Sequence, residues 1–147
     1  MIFKSTTQQL TFLKEEARRV HPIEACALIF GKLSKEEAVV KRVVVTRNVL
    51  ASSVRFEIDP QAFFDAFREA EKDGLEFVGF FHSHPAPARP SNIDLQFMRL
   101  WGEVVWLIFS SVDNEFGAFQ IQNGEVATLT FESNEDLQQD LSSISEV

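Results

Sequence analysis

Two histidines separated by one residue, His82 and His84, directly follow an apolar run at 77–81. On an extended backbone, residues two apart point to the same side at a spacing of about 6.6 Å, so both imidazoles can converge on one ion. Pro85 then ends the strand that this run predicts. A buried strand that ends in two imidazoles indicates a metal site at the end of that strand.

A third candidate ligand follows on the next predicted element. The loop at 85–90 contains three prolines, which stop it from continuing as a strand or a helix. Ser91 is a good helix N-cap, so Asp94 lies in the first turn of the helix that follows. Two His and one Asp, with a fourth position left to water, form the ligand set of a catalytic zinc site. The alternative is a buried His pair whose ring nitrogens are satisfied within the protein.

A single acid lies in a second apolar run. Residues 23–31 are apolar apart from Glu24, and they predict a buried strand. A carboxylate near the start of such a strand either lies at a solvated strand end or faces a functional site. Period-two alternation puts Cys26 and Leu28 on the same face as Glu24. We interpret Cys26 as a small buried hydrophobic residue and not as a ligand.

The two segments together resemble the JAMM motif of the MPN-domain metalloproteases. The upstream segment has Ala27 where the family usually has Gly, and the loop before Ser91 is one residue shorter than in many members. The similarity covers about residues 6–131. The residues that carry the resemblance are His82, Ser83, His84, Pro85, Ser91 and Asp94 in one segment, and Pro22, Glu24 and Cys26 in the other.

The resemblance implies an α/β fold, a single MPN domain with the cytidine deaminase-like arrangement of a mixed sheet flanked by helices. It implies one Zn²⁺ per chain, held by His82, His84 and Asp94. Glu24 would be the catalytic base, and Ser91 would donate a hydrogen bond to the developing oxyanion.

The same resemblance implies a substrate class. Enzymes of this type are zinc-dependent isopeptidases or peptidases that cleave after the Gly-Gly C-terminus of ubiquitin or ubiquitin-like proteins. The chain is similar to the compact archaeal and bacterial members, which are associated with small modifier proteins or sulfur-carrier proteins. We therefore expect a ubiquitin-like protein or its conjugates as the substrate.

Two other functions fit parts of the pattern. The MPN fold also occurs as a non-catalytic scaffold or interaction module without metal, but all five site residues are present here. A zinc deaminase also has a Glu beside a zinc-activated water, but its signature requires His-x-Glu and Pro-Cys-x-x-Cys. Cys26 is the single cysteine of the chain and cannot supply that signature.

Composition limits the remaining choices. At 147 residues the chain fits one domain, and we expect it over residues 1–132, followed by an acidic C-terminal tail over 133–147. The net charge is −8, and no Lys or Arg follows Arg99, so we expect no nucleic-acid partner. No run of 18 apolar residues and no signal-peptide pattern occurs, so we expect no membrane partner and a cytoplasmic location. The sequence contains no pattern that indicates an oligomeric state.

Hydrophobic periodicity predicts the elements that must hold the site. Helices are predicted from 6 or 7 to 20, from 59–60 to 73, and after 91. Strands are predicted at 23–31, 38–46, 55–58, 77–81, 104–109, 117–122 and 125–131. Asn123-Gly124 predicts a hairpin between the last two strands. A weak apolar stripe over 134–145 favours a helix that either docks on the body or frays.

Overall fold

One mixed sheet with helices on both faces makes up the part of the chain that this computed structural model describes, residues 1–134 and 144–146. Three helices are present within these residues: α1 (Thr7–Val20), α2 (Pro60–Lys72) and α3 (Asn92–Trp101). The strands of the same residues are β1 (Ile2–Thr6), β2 (Cys26–Leu33), β3 (Glu37–Thr46), β4 (Glu76–His84), β5 (Val105–Ser110), β6 (Glu115–Gln122), β7 (Glu125–Thr128), β8 (Thr130–Asn134) and β9 (Ile144–Glu146). The predicted α/β fold with a mixed sheet is confirmed.

The strand that carries the two histidines lies in the middle of the sheet. The strand order is β7-β6-β5-β4-β2-β3-β1-β8, and β9 also pairs with β3. β2 is antiparallel to both β3 and β4, whereas β4 and β5 are parallel. Gly79 allows β4 and β5 to approach each other, because a Cβ at this position would lie 1.8 Å from the carbonyl oxygen of Val105. β4 is therefore paired along both of its edges, with β2 on one side and β5 on the other.

Alternation along the central strands produces an apolar core on each face of the sheet. Phe81 and Leu107 belong to the core that packs against α1. Phe80 and Trp106 belong to the other core, to which α2 and α3 contribute. His82 has the same parity as Phe80, so its side chain points to the face that α2 and α3 cover.

The first two helices begin with caps that the sequence predicted only in part. Thr6 caps α1, and the hydroxyl of Thr6 and the side chain of Gln9 form a reciprocal capping box. Asp59 caps α2 by accepting from the N–H of Ala62, and Pro60 occupies the first turn. The short strand β1 was not predicted, because it runs into α1 without a turn and Thr6 serves as both strand end and cap.

Two strand predictions are wrong. Residues 55–58 form no strand, because Glu57 exchanges hydrogen bonds with Val49 and Asn48 inside the loop rather than with a sheet neighbour. The run at 125–131 is divided at Leu129 into β7, which pairs with β6, and β8, which pairs in parallel with β1. The hairpin between β6 and β7 is confirmed, and Asn123 has the positive φ of 53° that such turns require.

The C-terminal segment is described only in part. The predicted boundary at 132 falls within β8, which continues to Asn134. Most of the predicted helix over 134–145 lies outside the described residues, and Ile144–Glu146 form a strand that pairs in parallel with Val43–Val45 of β3. No helix in the described residues has the length and apolar character needed to cross a membrane.

Candidate metal centre and acid-base site

The end of β4 presents two imidazoles on one face of the sheet. His82 is fully buried and His84 is 7% exposed, and their rings stack with centroids 5.2 Å apart at an interplanar angle of 14°. Ser83 lies between them and points to the opposite face, where its hydroxyl accepts a hydrogen bond of 2.9 Å from the N–H of Ala25. This bond ties the end of β4 to the segment that leads into β2.

The first turn of α3 brings Asp94 to the same place. Ser91 is the N-cap, and its hydroxyl accepts from the N–H of Asp94 at 3.1 Å. In return, Oδ2 of Asp94 accepts from the N–H of Ser91 at 2.9 Å. The same oxygen lies 3.1 Å from Nε2 of His82. The capping box therefore fixes the Asp94 carboxylate against the imidazole.

His82, His84 and Asp94 form a buried cluster with the donor set of a metal site. One ligand atom from each residue lies within 4.8 Å of the others. Nε2 of His84 and Nδ1 of His82 are buried and have no hydrogen-bond partner among the described residues. A buried polar atom without a partner is costly, and an ion bound by the cluster would remove that cost for a ring nitrogen. The residues present therefore fit a metal ion.

Burial and mutual charge set the protonation states of the cluster. Burial and the neighbouring charge of His82 lower the pKa of His84 to about 4. Burial acts to raise the pKa of Asp94, but the hydrogen bond and charge of His82 outweigh it and hold this pKa below its ordinary value. Burial acts to lower the pKa of His82, but the hydrogen bond and charge of Asp94 outweigh it and hold this pKa above its ordinary value. A neutral imidazole, as at His84, and an ionised carboxylate, as at Asp94, are the states in which these side chains bind metals.

Glu24 lies two residues before β2, close enough to His82 and Asp94 to interact with their charges. Its side chain is 3% exposed, and Oε1 is buried without a hydrogen-bond partner among the described residues. Burial raises the pKa of Glu24 to about 7, the charge of His82 opposes this rise, and the charge of Asp94 adds to it. The sequence predicted a strand from residue 23, but the observed strand β2 begins at Cys26.

Cys26 has the buried position that the sequence predicted. It is 1% exposed, and its sulfur contacts the hydroxyl of Thr46 at 3.4 Å. Burial raises the pKa of the thiol to about 11. Cys26 is not part of the His82, His84 and Asp94 cluster.

Asn48, which sequence reasoning missed, connects the loop between β3 and α2 to Glu24. It is 7% exposed. Its amide nitrogen donates to three carbonyl oxygens, those of Glu24 at 3.2 Å, Ser52 at 3.3 Å and Arg55 at 3.0 Å. Its amide oxygen accepts from the N–H groups of Leu50 at 3.1 Å and Glu57 at 3.2 Å. The N–H of Glu24 also donates to the carbonyl of Ser52 at 2.8 Å, so the loop holds the Glu24 backbone from both sides.

A family model described as prokaryotic homologs of the JAB domain matches residues 8–122, a range that contains Glu24, Ser91 and the three residues of the cluster. The chain belongs to this family. The match confirms the JAMM/MPN resemblance of the sequence.

One solved structure has the same fold, and two proteins of known name are similar in sequence. A solution structure of a Desulfitobacterium hafniense protein superposes with a TM-score of 0.82 at 31% identity, over 94% of this chain and 96% of that chain. The desampylase of Pyrococcus furiosus is 43% identical over 99 residues, which are 67% of this chain and 64% of that protein. A probable TtuB-protein conjugate cleaving protease of Thermus thermophilus is 34% identical over 123 residues, 80% of this chain and 77% of that protein. The chain thus matches slightly less than two thirds of the length of the Pyrococcus relative.

Proposed function

We propose that this protein is a zinc-dependent isopeptidase or peptidase that cleaves after the Gly-Gly C-terminus of a ubiquitin-like modifier or sulfur-carrier protein. The observation that carries the proposal is the buried Glu24 carboxylate, which lies beside a cluster of two His and one Asp. One of its oxygens has no hydrogen-bond partner within the described part of the chain. A base next to a catalytic metal is the arrangement needed for metal-assisted hydrolysis of an amide.

His82, His84 and Asp94 would hold the zinc ion. Three protein ligands leave a fourth position open, as in catalytic rather than structural zinc sites. Zinc, when bound, supplies a Lewis acid that polarises the scissile carbonyl and makes water more acidic. The two capping-box hydrogen bonds between Ser91 and Asp94 hold the Asp94 carboxylate in place. This side chain would therefore not have to reorient when the ion binds.

Glu24 would act as general base and then as general acid. Burial raises the pKa of Glu24 above that of an ordinary Glu, so this carboxylate accepts a proton from water more readily than an ordinary Glu and can then release the proton to the departing amine. The hydroxyl of Ser91 accepts a hydrogen bond from the N–H of Asp94, so its own proton remains available. Ser91 would donate that proton in a hydrogen bond to the carbonyl oxygen as negative charge develops there.

The burial of the site favours a substrate without side chains next to the scissile bond. His82, His84 and Asp94 are exposed by 0%, 7% and 3%, so only a thin backbone can reach them. A Gly-Gly terminus is such a backbone, because neither residue carries a Cβ. The names of the relatives, a desampylase and a conjugate-cleaving protease, also support a conjugate as substrate.

A fusion protein tests this function. The zinc-loaded protein is incubated with ubiquitin-like proteins that carry a peptide extension after Gly-Gly, and mass spectrometry identifies the cut. We expect a single cut after the second Gly, and no cut in a matched fusion with Ala-Ala at these positions. If no ubiquitin-like fusion is cut by the zinc-loaded protein, the proposed function is wrong.

A further inference from the structure

Three aromatic rings form a stack at the metal-binding cluster, and one of them belongs to a residue with no role in the reaction described above. Phe56, in the loop between β3 and α2, stacks on His82 with ring centroids 4.9 Å apart at an interplanar angle of 26°. His84 stacks on the same imidazole at 5.2 Å and 14°. Within the described part of the chain Phe56 and His84 make no ring contact with each other, so they lie on opposite faces of the His82 ring.

His82 lacks the hydrogen bond that usually orients a histidine ligand. Its Nε2 lies 3.1 Å from Oδ2 of Asp94 and so faces the cluster. Nδ1, on the other side of the ring, is buried and has no hydrogen-bond partner among the residues that the structure describes. A histidine that binds a metal almost always donates from its second nitrogen to a carboxylate, a carbonyl or water, and this bond fixes the orientation of the ring. At His82 another contact has to fix that orientation.

Rotamer preference does not fix the ring plane of His82 either, because rotation about χ2 of a histidine is broad. A flat ring packed on the imidazole narrows this rotation, since a turn of the imidazole would push its edge into the neighbouring ring. His84 is itself a candidate ligand, and Trp106 meets His82 edge-on at 6.2 Å and 82°. Among the described residues, Phe56 is therefore the residue outside the ligand set that stacks face to face on His82.

Phe56 is held in place from the core side and from the loop side. Its ring is half-buried and packs in the core that α2 and α3 cover, 6.1 Å from the ring of Phe80 and 6.2 Å from that of Trp106. In the loop, the N–H of Val49 donates to the carbonyl of Glu57, the residue after Phe56, at 3.0 Å. The stacked ring is thus in position before any ion binds.

We propose that Phe56 is a positioning residue of the metal centre, which holds the His82 imidazole in the plane in which Nε2 faces the cluster. This inference rests on the zinc site of the proposed function. Phe56 has no atom that can bind zinc or move a proton, so it acts through His82. Its replacement leaves all three ligands in the chain, so the affinity for zinc should fall while the zinc content in excess zinc stays near one ion per chain.

The zinc affinity of variants tests this role. Zinc-loaded protein is titrated with a chromophoric chelator, and the competition gives the zinc dissociation constant. Phe56→Leu keeps an apolar side chain and removes the flat ring, and loss of a group that orients a ligand typically costs about 10- to 100-fold in metal affinity. We therefore expect the dissociation constant to rise by at least about tenfold.

Phe56→Tyr tests for rescue, because it keeps the ring. Phe56 lines an open cavity of about 250 Å³, so the added hydroxyl has room. We expect this variant to bind zinc within about threefold of the parent. A loss of zinc affinity in Phe56→Tyr as large as that in Phe56→Leu would contradict a role for the flat ring.

Phe63 provides the matched control for a general effect of packing. Like Phe56 it is half-buried in the core that α2 and α3 cover, and its ring contacts Phe77, Phe80 and Trp101 but no histidine of the described residues. Phe63→Leu should lower the urea midpoint about as much as Phe56→Leu does and leave the zinc dissociation constant within about twofold of the parent value.

Cobalt(II) in place of zinc reports the geometry of the ligands by its visible absorption bands. We expect these bands to shift in Phe56→Leu and to overlay those of the parent in Phe56→Tyr and Phe63→Leu. An unchanged zinc dissociation constant in Phe56→Leu, or an equal loss of zinc affinity in Phe63→Leu, overturns the positioning role and leaves the proposed function standing. If the variants differ in zinc affinity as expected but the zinc-loaded parent cleaves no Gly-Gly fusion, the proposed function fails and the positioning role stands.

Discussion

Replacement of Asn48 by Ala should loosen the segment that carries Glu24 without touching His82, His84 or Asp94. The substitution removes five hydrogen bonds. Each contributes about 1 kcal/mol net, and water replaces some of them because most of these bonds are only partly buried. We therefore expect the free energy of unfolding to fall by about 2–4 kcal/mol.

The same substitution should lower turnover more than it lowers zinc binding. Glu24 keeps the hydrogen bond from its own N–H to Ser52 but loses the bond at its carbonyl oxygen. A shift of the proposed base, Glu24, by about 1 Å is sufficient to lower kcat by roughly 10- to 100-fold. His82, His84 and Asp94 lie on β4 and α3 and not on the loop, so zinc content should stay the same.

Urea denaturation, elemental analysis and turnover of a Gly-Gly fusion measure these three effects. Asn48→Asp is a second test of similar size. It keeps an oxygen that can accept the two hydrogen bonds, but it replaces the amide nitrogen, which donates to three carbonyl oxygens, by a carboxylate oxygen that cannot donate. We expect it to be at least as damaging as Asn48→Ala. An unchanged urea midpoint together with an unchanged kcat in Asn48→Ala would refute the idea that this side chain holds the base in place.

Three further variants test other parts of the structure. His84→Ala should reduce zinc from about one ion per chain to almost none in elemental analysis, because it removes a ligand; full zinc content would contradict the ligand assignment. Cys26 is 1% exposed, and burial raises the pKa of its thiol, so iodoacetamide should label it only after unfolding; rapid labelling of the folded protein would show an exposed thiol. Deletion of 135–147 should keep zinc and lower the urea midpoint slightly, because β3 loses its pairing with β9; loss of zinc would show that this segment supports the site.

Much of the candidate site could be predicted because its geometry is local. His82 and His84 follow an apolar strand at a spacing of two, which is sufficient to put both rings on one face. Ser91 and Asp94 are three residues apart at a helix start, which is the spacing of a capping box. The structure brings His82, His84 and Asp94 within 4.8 Å of one another, as the sequence indicated.

The parts that were missed depend on contacts between distant segments. Asn48 acts on the backbone of Glu24, 24 residues earlier, and an Asn in an irregular loop has no periodic pattern that reveals such a contact. The run that ends at 131 looks like one strand. In the structure, the N–H of Leu129 donates to the carbonyl of Ala118, and the residues that follow form β8, which pairs with β1. Alternation predicts which face a strand buries, but it does not predict which strand becomes its neighbour.

Glu24→Gln tests the proposed role of Glu24 most directly, because the substitution keeps the shape of the side chain and removes its ability to accept a proton at catalytic pH. The parent and the variant are compared on the same Gly-Gly fusion, with zinc content and tail binding measured for both. We expect unchanged zinc and unchanged binding, with kcat lower by at least about 100-fold. Cleavage by Glu24→Gln at close to the parent rate would contradict the assignment of Glu24 as the base and leave it as a buried structural acid.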